Sequence, residues 1–196
     1  MSVTTPPATT GVVLAGGEGS RIGGSKHLVE LDGRTLVSRA VAAVAAAGLE
    51  PVVAAKAAFD VASAGIDGPV RVLVEPARPV HPLMGVAHAL TVLGRPVVTL
   101  PCDMPLLEPA VLRLLAGHPA RVVVAAVNGR VQPLVGRFPP DVAAALHHTA
   151  RTGGSARSVT GLPGAEVVEV TDIDPAWAAG FVNINTQGDL AAARAS

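Results

Sequence analysis

"GVVLAGGEGSRIGGSK", residues 11–26, decides how this chain is read. Val12, Val13 and Leu14 form a short apolar run that stops at glycine, as a strand buried on both faces of a parallel sheet does. Six glycines, one acid and two cations then follow or punctuate it within sixteen residues. Glycine loosens a backbone and costs conformational entropy on folding, so such a segment needs a return. In an open α/β sheet, the place just beyond the first strand's carboxyl end is where ligands bind.

Outward from this segment, short β-branched runs alternate with Ala/Leu-rich ones. "PVVAA" (51–55), "VRVLV" (70–74) and "PVVTL" (96–100) read as central strands. Helices are expected over 35–47, ending at Gly48, and over 83–93 and 109–117. In the first of these Leu36, Val37, Ala40, Val41 and Val44 share one face. The rhythm predicts an α/β protein: a Rossmann-like, doubly wound, mostly parallel sheet with helices on both faces. The second half adds a β-hairpin over 121–138, turned at Asn128–Gly129. An Ala-rich helix (141–150), a strand (166–170), a strand-like "FVNIN" (181–185) and a last helix capped by Thr186 and Asp189 complete the order. Residues 1–10 read as a flexible tail and 11–196 as a single domain.

The totals narrow the function. Hydrophobic residues make up 49% of 196 and charged residues 15%, which suits a packed globular chain. Fifteen basic and fifteen acidic side chains cancel, and three Phe, one Trp and no Tyr offer few stacking platforms, so no nucleic-acid partner is expected. No apolar run approaches a membrane span, and "MSVTTPPATT" lacks the marks of a signal peptide. The single cysteine, Cys102, fits a reducing compartment. A cytoplasmic enzyme without membrane contact is the expectation.

Two familiar phosphate loops fail here. After Gly17 and Gly19 the third glycine of the dinucleotide fingerprint is displaced, and Lys26 follows Ser25 rather than a glycine. The ingredients of an anion site remain. Glycines let backbone N–H groups approach oxygen atoms, Arg21 offers a planar charged fork and Lys26 a point charge. The alternative is an ordinary glycine turn with two solvated cations. In "VVTLPCDMPLL" (97–107) an apolar strand runs into Pro101 and then presents Asp103. Mg²⁺ takes one or two carboxylates plus waters and substrate phosphates, so Asp103 alone suffices as its protein ligand. The alternative is a cap of the next helix, a task open also to Glu108. The six histidines lack the spacing of a zinc site and read as surface or packing residues. Asn183 and Asn185 alternate with Val182 and Ile184, which on a strand would turn both amides to one face.

Taken together, "LAGGEGSRIGGSK", "PCDMPLL", "GRVQPLVGRF" and "FVNINT" resemble, in order, the landmarks of the MobA-like nucleotidyltransferases. Within that family the pairing of "LAGG" with "FVNINT" is similar to the molybdenum cofactor guanylyltransferases. The resemblance implies Mg²⁺-dependent transfer of GMP from GTP to the phosphate of molybdopterin (the Mo cofactor), releasing pyrophosphate. It implies that the backbone of Leu14, Ala15, Gly16 and Gly17 holds guanine and ribose, with Gly85 of "HPLMG" nearby. Arg21 and Lys26 would hold the triphosphate, Asp103 the metal, and Asn183 and Asn185 the pterin. The nucleotide part would occupy about 11–117 and the acceptor part about 118–196. Transient contact with proteins of Mo cofactor biosynthesis, or with proteins that receive the product, is also implied. Lys56 stands where the family has an asparagine-containing turn, and Glu75 is the acid nearest its aspartate after the third strand. A related transferase using CTP or another phosphorylated acceptor such as cobinamide phosphate, and a catalytically silent nucleotide-binding module, are the alternative readings.

Overall fold

The structure is a computed structural model that describes residues 9–17, 26–57 and 59–194. Seven strands form one sheet. In chain order they are β1 (Thr10–Leu14), β4 (Glu50–Ala55), β5 (Arg71–Val74), β6 (Val97–Pro101), β7 (Val122–Val127), β8 (Arg130–Phe138) and β9 (Ala165–Glu169). A small separate hairpin, β2 (Glu30–Leu31) and β3 (Arg34–Thr35), precedes the first helix. The spatial order is β5-β4-β1-β6-β8-β7-β9. Within this seven-stranded sheet every pairing is parallel except those of β8, which runs against both β6 and β7.

Helices cover both faces because the strands are apolar on both. Val12, Val52 and Ala54 point into one core with α2 (Pro82–Leu93) and α4 (Ala143–Arg151). Their neighbours Val13, Val53 and Ala55 point into the other, against α1 (Leu36–Ala46) and α3 (Pro109–Gly117). Side chains two residues apart share a face, so a continuous Val/Ala run feeds two cores at once. The doubly wound architecture expected from the sequence is what the chain adopts. The hairpin turn is also as expected: Asn128 and Gly129 have φ of 49° and 72°, both left-handed, as a two-residue type I′ turn requires.

Two expectations are corrected. β1 starts at Thr10, which is fully buried, so the tail cannot extend to residue 10; residues 1–8 lie outside the described part. "FVNIN" is not a strand. A 3-10 helix, Pro175–Phe181, ends on its first residue, and 182–185 carry no ladder. Ile184 instead donates its N–H to the carbonyl of Asp103 at 2.8 Å, while its side chain joins Leu31, Leu36 and Leu190 in a small separate core. Val182 is exposed alongside Asn183 and Asn185, so the apolar/polar alternation does not separate two faces. The backbone of this segment is committed to a loop on β6 rather than to a neighbouring strand. α5 (Gln187–Arg194) then closes the chain.

Candidate nucleotide site

The carboxyl ends of β5, β4, β1 and β6 lie side by side, and the residues just past them line a cleft of about 250 Å³. Gly16 and Gly17 follow β1, Lys56 follows β4, Glu75 follows β5, and Cys102 and Asp103 follow β6. Lys26, Leu134 and the entrance to α2 (Val80, His81, Pro82) complete the wall. Sheet order, not sequence proximity, gathers these groups.

Lys26 is the hub of one end of the cleft. Its Nζ donates to Asp103 Oδ2 at 2.7 Å and also to Asn185 Oδ1. The pair is mostly sheltered, with side-chain exposures of 13% and 24%. Asp103 Oδ1 is buried and, among the described residues, accepts no hydrogen bond. A buried carboxylate oxygen without a partner is costly, which marks Asp103 as a group that a bound cation would stabilise. Asp103 does not cap α3; Glu108 occupies that N-cap position and makes no side-chain cap bond. Among the described residues no group of three or more His, Cys, Asp or Glu side chains gathers to hold a metal ion. A cation here would therefore depend on Asp103 and on oxygen atoms brought by a ligand, the manner in which Mg²⁺ is ordinarily held. Arg21 lies outside the described residues.

The other charged pair sits across the glycine turn. Glu75 is 6% exposed, and its Oε2 lies 3.2 Å from Lys56 Nζ, which also donates to the carbonyl of Pro76 at 2.8 Å. The carboxylate is seated over two glycines. A Cβ on Gly16 would fall 2.6 Å from Glu75 Oε2, and one on Gly85 would fall 2.6 Å from Oε1. Gly85 is thus buried against Glu75 and does not itself line the cleft. Ala15 is also absent from the lining; its N–H is spent on Ala54 at 2.8 Å, while the Leu14 carbonyl accepts from Cys102 at 3.1 Å. Leu14, Gly16 and Gly17 remain as the faces of that turn open to a ligand.

The remaining polar groups are structural. His81 accepts from the N–H of Leu83 through Nδ1 and bonds the carbonyl of Gly154 at 2.8 Å through Nε2, so it caps α2 and ties the 152–155 loop to it. Arg137 donates to the carbonyls of His118 and Ala120. Burial, then the neighbouring Asp103 charge, push the Cys102 thiol from 9.0 up to about 12, so it is no nucleophile near neutrality. Asn183 and Asn185 are both exposed, and the amide oxygen of Asn185 accepts from Lys26. That link was not legible beforehand, since it spans 159 residues of sequence. Lys56 and Glu75 stood out as departures from the family pattern, but nothing in their local sequence announced that they pair.

A glycine turn and a Lys–Asp pair gathered past the parallel strands of a doubly wound sheet form a ligand cleft of the kind such α/β proteins carry at their strands' carboxyl ends. Comparison with known proteins carries this further. The chain belongs to the MobA-like NTP transferase domain family, whose profile matches residues 11–167. It is 38% identical over 194 residues to the molybdenum cofactor guanylyltransferase of Acidiphilium cryptum (strain JF-5), covering 94% of this chain and 93% of that protein. The molybdenum cofactor guanylyltransferase of Rhizobium johnstonii (strain DSM 114642 / LMG 32736 / 3841) is 32% identical over 193 residues, covering 92% and 88%. Among solved structures, molybdopterin-guanine dinucleotide biosynthesis protein A of Archaeoglobus fulgidus superposes with a TM-score of 0.78 at 22% identity, covering 95% of this chain and 97% of that one.

Proposed function

We propose that this enzyme transfers GMP from GTP to the terminal phosphate of molybdopterin, releasing pyrophosphate and forming the guanine dinucleotide cofactor. The names of its relatives support the substrates. The observation that carries the reading is a single cleft holding both a sheltered carboxylate, Glu75, and the Lys26–Asp103 pair. An ionised carboxylate only accepts hydrogen bonds, and its two oxygens match two adjacent donors. Guanine offers N1–H beside its exocyclic amine; cytosine has no such pair. Glu75 is therefore suited to the guanine edge, with Gly16 and Gly17 beneath the sugar and phosphates.

Transfer needs in-line placement and neutralisation of spreading charge more than covalent help. A phosphate nucleophile is ionised near neutrality, so no general base is required. Lys26 and Arg21 would hold the phosphates and meet the charge that grows on the leaving pyrophosphate. Asp103 would hold Mg²⁺, which when bound supplies Lewis-acid neutralisation of the phosphoryl oxygens. Residues 11–117 would form the nucleotide part and 118–196 the acceptor part of one domain, with Asn183 on the acceptor side. A cytoplasmic location and transient contact with proteins that supply molybdopterin or receive the product belong to the same reading; among the described residues no helix is long and apolar enough to cross a membrane.

The test is pyrophosphate release with molybdenum-loaded molybdopterin and Mg²⁺, run in parallel with GTP, CTP and ATP. Release with GTP alone is expected, falling about a hundredfold or more in Asp103→Ala, as when one charge-stabilising group is removed. Release with CTP would keep the mechanism and overturn the base assignment. No release with any nucleotide would overturn the acceptor.

A further inference from the structure

The Lys26–Asp103–Asn185 cluster carries an inference about how the cation reaches its site. The two carboxylate oxygens of Asp103 are in different settings, on a side chain 24% exposed. Oδ2 is covered by the Lys26 ammonium at 2.7 Å, and Oδ1 has essentially no accessible surface and no partner among the described residues. The ammonium is held from its other side by the amide oxygen of Asn185. Asn185 is itself fixed: its N–H and that of Thr186 both donate to Asp189 Oδ2 at 2.8 Å, and the preceding Ile184 N–H is tied to the Asp103 carbonyl. Lys26 is therefore parked at the carboxylate by groups from two distant parts of the chain.

We propose that Lys26 is the resident counter-ion of Asp103 in the nucleotide-free enzyme, that Asn185 is the positioning residue that parks it, and that a divalent cation joins Asp103 only together with the nucleotide. This rests on the reading of the cleft as a nucleotide site. The charge logic is direct. An ammonium and a divalent ion cannot share one carboxylate at contact distance without strong repulsion. A nucleotide's phosphates offer Lys26 a better-charged partner within the same cleft, and its departure uncovers Oδ2. Cation and nucleotide binding are thereby coupled, each favouring the other, as reciprocal linkage requires. Asn185 accordingly acts on the nucleotide side, through Lys26.

Mn²⁺, which carboxylate oxygens accept as they do Mg²⁺, allows a direct readout by paramagnetic resonance of the free ion without any turnover. Titrations would use the full chain with Mn²⁺ alone and with the non-cleavable analogue α,β-methylene-GTP. Wild type is expected to bind Mn²⁺ at least about tenfold more weakly without the analogue than with it. Lys26→Met keeps the length and removes the charge; it should bind Mn²⁺ about tenfold more tightly than wild type in the absence of nucleotide. Asn185→Ala should shift in the same direction by a smaller factor, and Asp103→Asn in the Lys26→Met background should abolish the gain. Far-UV dichroism and melting temperature establish that each variant is folded, with Lys26→Gln as the substitute if Lys26→Met is not. No gain in the lysine variant, or equal Mn²⁺ affinity of wild type with and without the analogue, overturns the proposal. A gain in the lysine variant without one in Asn185→Ala overturns the part given to Asn185. Because the lysine-variant arm uses metal alone, its outcome is independent of whether the acceptor is molybdopterin.

Discussion

The Glu75 carboxylate is packed where two missing side chains leave room for it. Restoring one of them is a sharp perturbation: in Gly85→Ala the methyl would lie 2.6 Å from Oε1, closer than a Cβ is ever found to a neighbouring atom. Overpacking of this kind costs about 1–3 kcal/mol, read as a lower midpoint in urea unfolding. The cost should be smaller in a Glu75→Ala background, because the clash partner is gone, and the double-mutant cycle measures that difference. An additive cycle would show that Gly85 is needed for some other reason. The same steric relation explains why "HPLMG" lies close to the cleft while its glycine makes no wall of it. From the sequence, Gly85 was legible as special, but the reason for it sat ten residues away in Glu75.

At the scale of elements, the last helix shows what sequence conveys well. Thr186 and Asp189 form a reciprocal cap: Thr186 Oγ1 accepts from the N–H of Asp189 at 3.1 Å, and Asp189 Oδ2 accepts from the N–H groups of Asn185 and Thr186. Those bonds, led by the one from Asn185, hold the Asp189 carboxyl below its ordinary value, with Lys26 adding to the effect. A carboxyl whose pKa is lowered on folding adds stability above its unfolded pKa and loses it as pH falls through the folded one. Asp189→Asn should therefore melt below wild type at pH 7, and the gap should close below the usual aspartate range near pH 4. A gap unchanged in acid would mean that the carboxylate charge is not what stabilises the cap. The neighbouring "FVNIN" shows the opposite case. Its alternation is strand-like, yet its hydrogen bonds go to the Asp103 turn, and no local pattern distinguishes a ladder partner from a distant loop. Local chemistry writes caps and turns; it does not name long-range partners.

Over the whole molecule, β8 is inserted between β6 and β7, so one sheet runs continuously through the earlier and the later part of the chain. Trp177, the sole tryptophan, lies in the later part and packs against the core beneath α1 and α3. Its fluorescence and the far-UV dichroism of the whole chain should then unfold in one coincident transition in guanidinium. Separate midpoints would mean that the parts are distinct folding units. The parallel strands and their helices were legible because a strand buried on both faces is apolar throughout, and glycine or proline marks its ends. The position of the antiparallel β8 in mid-sheet was not legible, since hairpin chemistry fixes the turn and not the neighbour beyond it. Of the cleft, Lys26 and Asp103 were readable as chemistry, whereas their contact and the role of Asn185 depend on sheet order and on the path of the chain's end.

The central claim is that the α-phosphate of GTP is joined to the acceptor phosphate in this cleft. GTP labelled at the α-phosphorus, incubated with the enzyme, Mg²⁺ and molybdenum-loaded molybdopterin, tests it most directly. The label is expected to move into a dinucleotide containing guanine and pterin in equal amounts, with transfer lost in Asp103→Ala. Label that remains in GTP, or appears only as free GMP while the pterin stays unmodified, would contradict it.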